Sequence, residues 1–183
     1  MPIIICPGIH SSQLSEQFIQ ATKRLMEQHQ CLILPTNKYL PYSAVDVYRW
    51  LKQQLSPLET QPLTFIAFSA GVVGGFGAAL AWQLQGGKVK SFVAGDGWGM
   101  PLVASFPIYR FSHDYFTHWS SAILGGGNKG FYADPQVEHL DLWRSPDNCY
   151  GWQIISPGCK TYCSLTRYLE SILNFQPPNI YIF

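Results

Sequence analysis

The 183-residue sequence has little charge, no cluster of basic residues and no apolar stretch long enough to span a membrane. Lysine, arginine, aspartate and glutamate make up 13% of the chain, about half of their share in an average soluble domain. The formal net charge is +1. Because nucleic-acid binding needs a clustered positive field, no nucleic-acid partner is expected. The longest apolar runs have the length of strands, so no membrane insertion is expected either.

Paired cysteine motifs are also missing from the sequence. The five cysteines form no C-x-x-C pair, and their odd number leaves one without a partner: Cys6, Cys31, Cys149, Cys159 and Cys163. The opening segment M-P-I-I-I-C-P-G has neither the basic start nor the small-residue cleavage site of a secretory signal. We therefore expect reduced thiols and a cytoplasmic location.

Sequence motifs for metals and nucleotides are incomplete. His113 and His118 are five residues apart, which does not match the i, i+4 pair of H-E-x-x-H. Gly75 and Gly77 form G-x-G after a strand, but Leu80 occupies a position at which the dinucleotide fingerprint requires a small residue. The P-loop pattern G-K-[ST] does not occur. The sequence therefore predicts neither a metal nor a cofactor.

Short apolar runs alternate with amphipathic helical patterns through the first half of the chain. Strands are predicted at 2–6, 31–34, 63–68 and 89–94, and helices at about 11–28, 42–55 and 69–84. In the second half, strands are predicted at 108–111 and 137–143, and a helix at about 164–173. This alternation predicts an α/β fold in three layers, a mainly parallel sheet with helices on both faces. No linker or repeat divides the chain, so one domain over 1–183 is expected.

The segment T-F-I-A-F-S-A-G-V-V-G-G at 64–75 places Ser69 between an apolar run and a helix-prone segment. Ala67 and Gly71 flank it at a distance of two residues. Because the backbone folds back at a strand-to-helix nucleophile elbow, only small side chains fit at those two positions. The pattern indicates an exposed serine nucleophile, the alternative being an ordinary buried junction of small residues.

The elbow resembles that of the α/β-hydrolase superfamily, in the Ala-first form of small bacterial lipases. The segment around Asp114, Y-R-F-S-H-D-Y-F-T-H-W, is similar to the acid-bearing segment of minimal serine hydrolases of the retinoblastoma-binding type, which have about this length and no large lid. The resemblance covers most of the chain in layout, but in residues only the elbow, the first loop and this segment. It implies a hydrolase that cleaves a small-molecule ester or thioester through an acyl-enzyme on Ser69.

The resemblance also implies the groups that assist Ser69. Asp114 is the preferred acid, and Asp96, in G-D-G-W-G after the preceding strand, is the alternate. The oxyanion hole is expected from the backbone N–H of Ala70 and that of Ile9, with His10 as the alternate to Ile9.

The histidine base is the part of the pattern that fits least well. In the superfamily order of Ser, Asp and His, His139 is the one histidine late enough to serve. If 137–143 is the last strand, His139 is a strand residue and the following loop has no histidine, whereas a strand over 132–137 would put His139 in that loop. His113 and His118 are the alternates, His118 because it follows Asp114 by one helical turn. A poorly placed base favours a second interpretation, a catalytically inactive α/β-hydrolase-fold protein that binds a small molecule or a partner protein.

Overall fold

The computed structural model describes residues 1–57, 61–97, 99–125 and 129–174. The strands in these residues are β1 (Pro2–Cys6), β2 (Gln30–Ile33), β3 (Leu63–Phe68), β4 (Val89–Gly95), β5 (Ile108–Ser112), β6 (Gly130–Ala133), β7 (Tyr150–Ser156) and β8 (Cys159–Ser164). The helices are α1 (Ser12–Ala21), α2 (Lys23–Met26), α3 (Ala44–Gln54), α4 (Ala70–Leu84), α5 (Tyr115–Ala122), α6 (His139–Arg144) and α7 (Leu165–Leu173).

The strands of the described residues form one sheet in the order β2-β1-β3-β4-β5-β6-β7-β8. Strands β1 to β6 pair in parallel, and β7 and β8 add an antiparallel hairpin at one edge. The order changes direction at β1, because β2 lies on one side of it and β3 on the other. In open α/β sheets, ligands bind outside the carboxyl ends of the strands at such a switch point.

Helices cover both faces of the sheet. Ile3 and Ile5 pack in a core with residues of α1, α2, α6 and α7, whereas Ile4 and Cys6 pack in a second core with α3 and α4. Alternate residues of a strand point to opposite faces, so a strand covered on both sides is apolar throughout. This confirms the predicted α/β fold with a mainly parallel sheet. Among the helices of the described residues, none is both long and apolar enough to cross a membrane.

The first four strands and the strand at Ile108–Ser112 lie within one or two residues of their predicted positions. The helix predicted at 11–28 is instead divided into α1 and α2 at Thr22, whose hydroxyl donates a hydrogen bond to Phe18 O at 2.7 Å. Local apolar patterns were sufficient for the strands, and the pattern is strongest in β1 and β3, which are buried along their whole length.

The strand predicted at 137–143 is wrong. Residues from His139 form α6, and the preceding parallel strand is β6. The alternation around Val137 and His139 predicted a strand. In the structure α6 buries Leu142 and Trp143, which are adjacent in the chain and so do not follow the alternating pattern of a strand. The region from Arg144 to Tyr162, predicted as a loop, contains β7 and most of β8, which meet at the turn of Pro157 and Gly158.

Candidate active site

Ser69 lies at the junction of β3 and α4 in a backbone conformation that few side chains adopt. Its φ and ψ are 52° and −125°. Such a conformation costs about 1–3 kcal/mol and persists only where the surrounding structure enforces it. Here the Ser69 N–H donates to Gly95 O at 2.8 Å, and Ser69 O accepts from Val72 N at 3.0 Å. The residue is partly exposed, so its hydroxyl lies at the carboxyl edge of the sheet.

Two glycines allow the first loop to approach Ser69. A Cβ on Gly8 would lie 2.9 Å from Ser69 Cβ and 3.4 Å from its Oγ. A Cβ on Gly71 would overlap the carbonyl oxygens of Cys6 and Pro7. The loop after β1 therefore contacts the elbow backbone directly, and this brings Ile9 and the first N–H of α4, that of Ala70, to the same edge.

Replacing Gly71 by alanine is expected to destabilise the fold by about 1–3 kcal/mol, because the added methyl overlaps backbone atoms that cannot move aside. Within an ordinary helix the same change stabilises by about 1 kcal/mol. Urea unfolding of Gly71→Ala, with Ala81→Gly as the reference for normal helix propensity in α4, measures the difference. An unchanged or increased midpoint for Gly71→Ala would contradict the close contact.

The carboxylate of Asp96 is buried immediately after β4, with 2% of its side chain exposed. Asp96 Oδ2 accepts hydrogen bonds from His139 Nδ1 at 2.7 Å and from His113 Nδ1 at 2.8 Å. Asp96 Oδ1 accepts from the backbone N–H of His113 at 3.0 Å. Burial by itself raises the pKa of Asp96, but the hydrogen bonds from the two histidines outweigh it and hold that pKa below its ordinary value.

The imidazole of His139 is held against the elbow by ring stacking. It stacks on Phe68, the residue before Ser69, with centroids 4.7 Å apart and planes inclined by 22°. Trp143 also stacks on the ring of Phe68, with centroids 5.0 Å apart. Because a carboxylate only accepts, the proton of the Asp96 contact lies on Nδ1, and Nε2 is left as the acceptor nitrogen. Among the described residues, Ser69 Oγ forms no hydrogen bond to a histidine nitrogen.

His113 is a second histidine on the same carboxylate. Its hydrogen bond to Asp96 raises the pKa of His113 against the lowering effect of burial, and the charges of Asp96, Asp114 and Glu138 add to the increase. Its Nε2 lies 3.6 Å from Asp114 Oδ2. His113 is one of the alternate bases expected from the sequence, but the sharing of Asp96 by two histidines was not predicted.

Asp114, the acid preferred from the sequence, is the N-cap of α5. Its Oδ1 accepts a hydrogen bond from Thr117 N at 2.6 Å, and within the described part of the chain no hydrogen bond joins it to His139. The carboxylate on His139 is that of the alternate, Asp96. The sheet order explains the difference: β4 is the neighbour of β3, so the residue after β4 lies nearer to Ser69 than the residue after β5.

The two remaining alternates lie in other surroundings. The ring of His118 lies 5.4 Å from that of Tyr132, and burial together with the charge of Arg110 lowers its pKa. His10 Nδ1 donates to Ser11 O at 2.9 Å, and its ring lies 6.1 Å from Phe68. The first loop thus brings His10 near the elbow, whereas His118 packs on the far side of β5.

The structure brings together Ser69, which follows β3, Asp96, which follows β4, and His139, the first residue of α6. In a comparison with protein-family models no family matches the chain, and a comparison with curated protein sequences also finds no match. Any functional assignment therefore depends on the geometry of these three residues and their neighbours.

Proposed function

We propose that this protein is an α/β-hydrolase-like serine hydrolase that cleaves an ester or thioester through an acyl-enzyme on Ser69. The observation that carries the proposal is the position of His139. Its Nδ1 is bound to a buried carboxylate, and its ring is stacked on the residue that precedes Ser69. A serine becomes nucleophilic when an imidazole of fixed tautomer can take its proton.

In this mechanism the Oγ of Ser69 attacks the carbonyl carbon of the substrate and its proton passes to His139 Nε2. The imidazolium then gives that proton to the leaving alcohol or thiol as the acyl-enzyme forms. Water attacks the acyl-enzyme with His139 again accepting a proton, and Ser69 is released with the carboxylic acid. Asp96 remains ionised throughout and stabilises the imidazolium.

Asp96 takes the role of orienting acid in this proposal, in place of Asp114. Its side chain is almost fully buried, and a buried carboxylate stabilises a neighbouring cation more strongly than an exposed one because water screens less. Asp114 has 22% of its side chain exposed and binds the first turn of α5. Its charge acts on His113.

The oxyanion hole is proposed to consist of the N–H groups of Ala70 and Ile9. The first N–H groups of a helix have no intrahelical acceptor, so that of Ala70 is available to a ligand. Gly8 brings the loop of Ile9 against Ser69. Donors aimed at the developing oxyanion are worth about 3–4 kcal/mol each in serine hydrolases.

A cavity of about 530 Å³ adjoins the first loop and has the size of a small-molecule site. Its wall includes Pro7 and His10 from that loop. The remaining lining is mixed, with polar Ser12, Ser15, Glu16, Thr36 and Asn37 and apolar Ile33, Leu34 and Pro35. The scarcity of charged residues near Ser69 in the sequence favours an uncharged, apolar acyl group, and the mixed lining of this cavity also leaves room for a polar group on one side of the ester.

The second candidate is a catalytically inactive member of the same fold that binds a small molecule or a partner protein. It is favoured by one observation, the lack of a hydrogen bond between Ser69 Oγ and a histidine nitrogen in the described residues. Hydrogen bonds of a catalytic serine are often long without substrate and tighten in the complex, so this observation calls for a direct test of reactivity.

Fluorophosphonate labelling tests whether Ser69 is activated. We expect one phosphonate adduct per chain, located on Ser69 by peptide mass spectrometry, and no adduct in Ser69→Ala or His139→Ala. The physical reason is that a serine without its base is too weak a nucleophile to attack the probe.

Two matched variants control for general damage. Ser120→Ala removes a serine of α5 whose hydroxyl donates a hydrogen bond to Thr117 O at 3.3 Å. His29→Gln alters a histidine that directly precedes β2, at the amino end of the strands. Both are expected to label at the wild-type rate. A native protein that stays unlabelled while a reference hydrolase reacts would support the binding function instead.

A further inference from the structure

Asp96, His113 and His139 together have the composition of a transition-metal site. One ligand atom from each, the Asp96 carboxylate oxygen and the two imidazole nitrogens, lie within 4.8 Å of one another. The residues come from the ends of β4 and β5 and from the start of α6, so no sequence spacing reveals them. We call this group the Asp96 cluster.

The donor set suits a borderline metal ion. Two imidazole nitrogens and one carboxylate oxygen bind Zn²⁺ well and leave a fourth position for water or a substrate. In a tetrahedral site with bonds of about 2.0 Å, the ligand atoms are about 3.3 Å apart. The Nδ1–Oδ2 distances are 2.8 and 2.7 Å, so the rings need to move outward by about half an ångström.

Both rings are more exposed than the carboxylate that they share. The side chains of His113 and His139 are 28% and 40% exposed, whereas that of Asp96 is 2% exposed. The buried carboxylate therefore forms the base of the cluster, and the two imidazoles form its more exposed side.

The surroundings of the cluster favour a cation. Asp114 and Glu138 both lie close enough to His113 to act on it electrostatically. Asp114 Oδ2 lies 3.6 Å from His113 Nε2, and histidines that bind metal commonly have a carboxylate near the other ring nitrogen, which orients the ring.

We propose that the Asp96 cluster binds one divalent transition-metal ion, with Zn²⁺ as the preferred ion, and that binding inhibits the hydrolase. The metal takes the Nδ1 lone pair of each neutral imidazole, so the proton now donated to Asp96 moves to Nε2 of the same ring. With its proton on Nε2, His139 has no lone pair left to accept the proton of Ser69. The inhibition rests on the proposed function, whereas the binding of the metal does not.

Titration of the chelator-treated protein with ZnCl₂, followed by calorimetry and by competition with a chromophoric chelator, tests the binding. We expect one Zn²⁺ per chain and an affinity at least 100-fold lower in His113→Gln, since even the loss of an orienting neighbour of a metal ligand costs about 10–100-fold. His139→Gln is a second ligand variant, and circular dichroism verifies that both are folded. His29→Gln and Cys159→Ser, which removes an exposed thiol, are expected to bind as the wild type does.

Two results would overturn the proposal. One is equal affinity of wild type and His113→Gln for Zn²⁺, and the other is the absence of binding at about 100 µM ZnCl₂, which is on the order of the Kd of a weak site. Loss of the bound Zn²⁺ in Cys159→Ser would also overturn the proposal.

A second experiment tests inhibition. It compares the rate of p-nitrophenyl ester hydrolysis with and without ZnCl₂ within each variant, so that changes in basal rate cancel. Inhibition of the wild type but not of His113→Gln supports the inhibitory role. Binding without any hydrolysis rejects the proposed function and leaves the metal site standing.

Discussion

Replacing Asp96 by asparagine is expected to lower kcat for an activated ester by about 10⁴-fold, the effect of the same change in a serine triad. The amide of asparagine presents an N–H to His139 Nδ1 and so favours the tautomer that carries its proton on Nε2. That nitrogen then has no lone pair for the proton of Ser69. The rate is measured with p-nitrophenyl acetate at fixed pH, together with labelling by the fluorophosphonate.

Asp114→Asn is the matched control for this change. Asparagine caps a helix about as well as aspartate, so α5 is expected to stay intact and kcat to stay within about threefold, roughly the effect of a 0.6 kcal/mol perturbation. Urea unfolding of both variants separates a loss of catalysis from a loss of structure. A large loss of kcat in Asp114→Asn, with a small one in Asp96→Asn, would return the acid to the residue preferred from the sequence.

Trp143→Ala is expected to lower the free energy of unfolding by about 3–5 kcal/mol. The side chain is fully buried, and its ring stacks on Phe18 with centroids 3.7 Å apart and on Phe68 with centroids 5.0 Å apart. Its removal leaves a cavity between α1, α6 and β3 and takes away a ring that stacks on Phe68, the residue on which His139 also stacks. Urea unfolding monitored by circular dichroism measures the loss.

Trp143→Phe tests the same contact with most of the ring retained. Within the described residues the indole nitrogen has no hydrogen-bond partner. Phenylalanine therefore loses volume but no hydrogen bond seen there, and we expect a clearly smaller loss of stability than in the alanine variant. Equal losses for the two substitutions would indicate that stacking on Phe18 and Phe68 contributes little. A loss below about 1 kcal/mol in Trp143→Ala would contradict the role of this residue in the core.

The two proposals use the same three-residue neighbourhood in different ways. Asp96 with His139 alone orients a base, whereas Asp96 with His139 and His113 offers a metal three ligands. His113 is thus the residue that separates them. Its removal is expected to abolish sensitivity to Zn²⁺, and the labelling of Ser69 measures independently whether the base still works.

The sequence by itself determined the elements whose signals are local. Continuous apolar runs specify β1 and β3 because both faces of those strands are covered. Ala67 and Gly71 around Ser69 predict the tight strand-to-helix turn, and at Gly71 a larger side chain would overlap the backbone of the first loop. For the same reason the approach of the first loop to Ser69 was predictable from Gly8, since backbone contact needs a residue without a Cβ.

Only the tertiary structure decided which acid and which histidine meet. Strand order depends on packing between distant segments, and nothing local in the sequence states that β4 rather than β5 lies beside β3. That order brings Asp96 to His139, although 43 residues separate them, and gives Asp114 to the first turn of α5. The position of His139 depends in turn on α6, a helix that buries Leu142 and Trp143. The alternating pattern around His139 predicted a strand there instead.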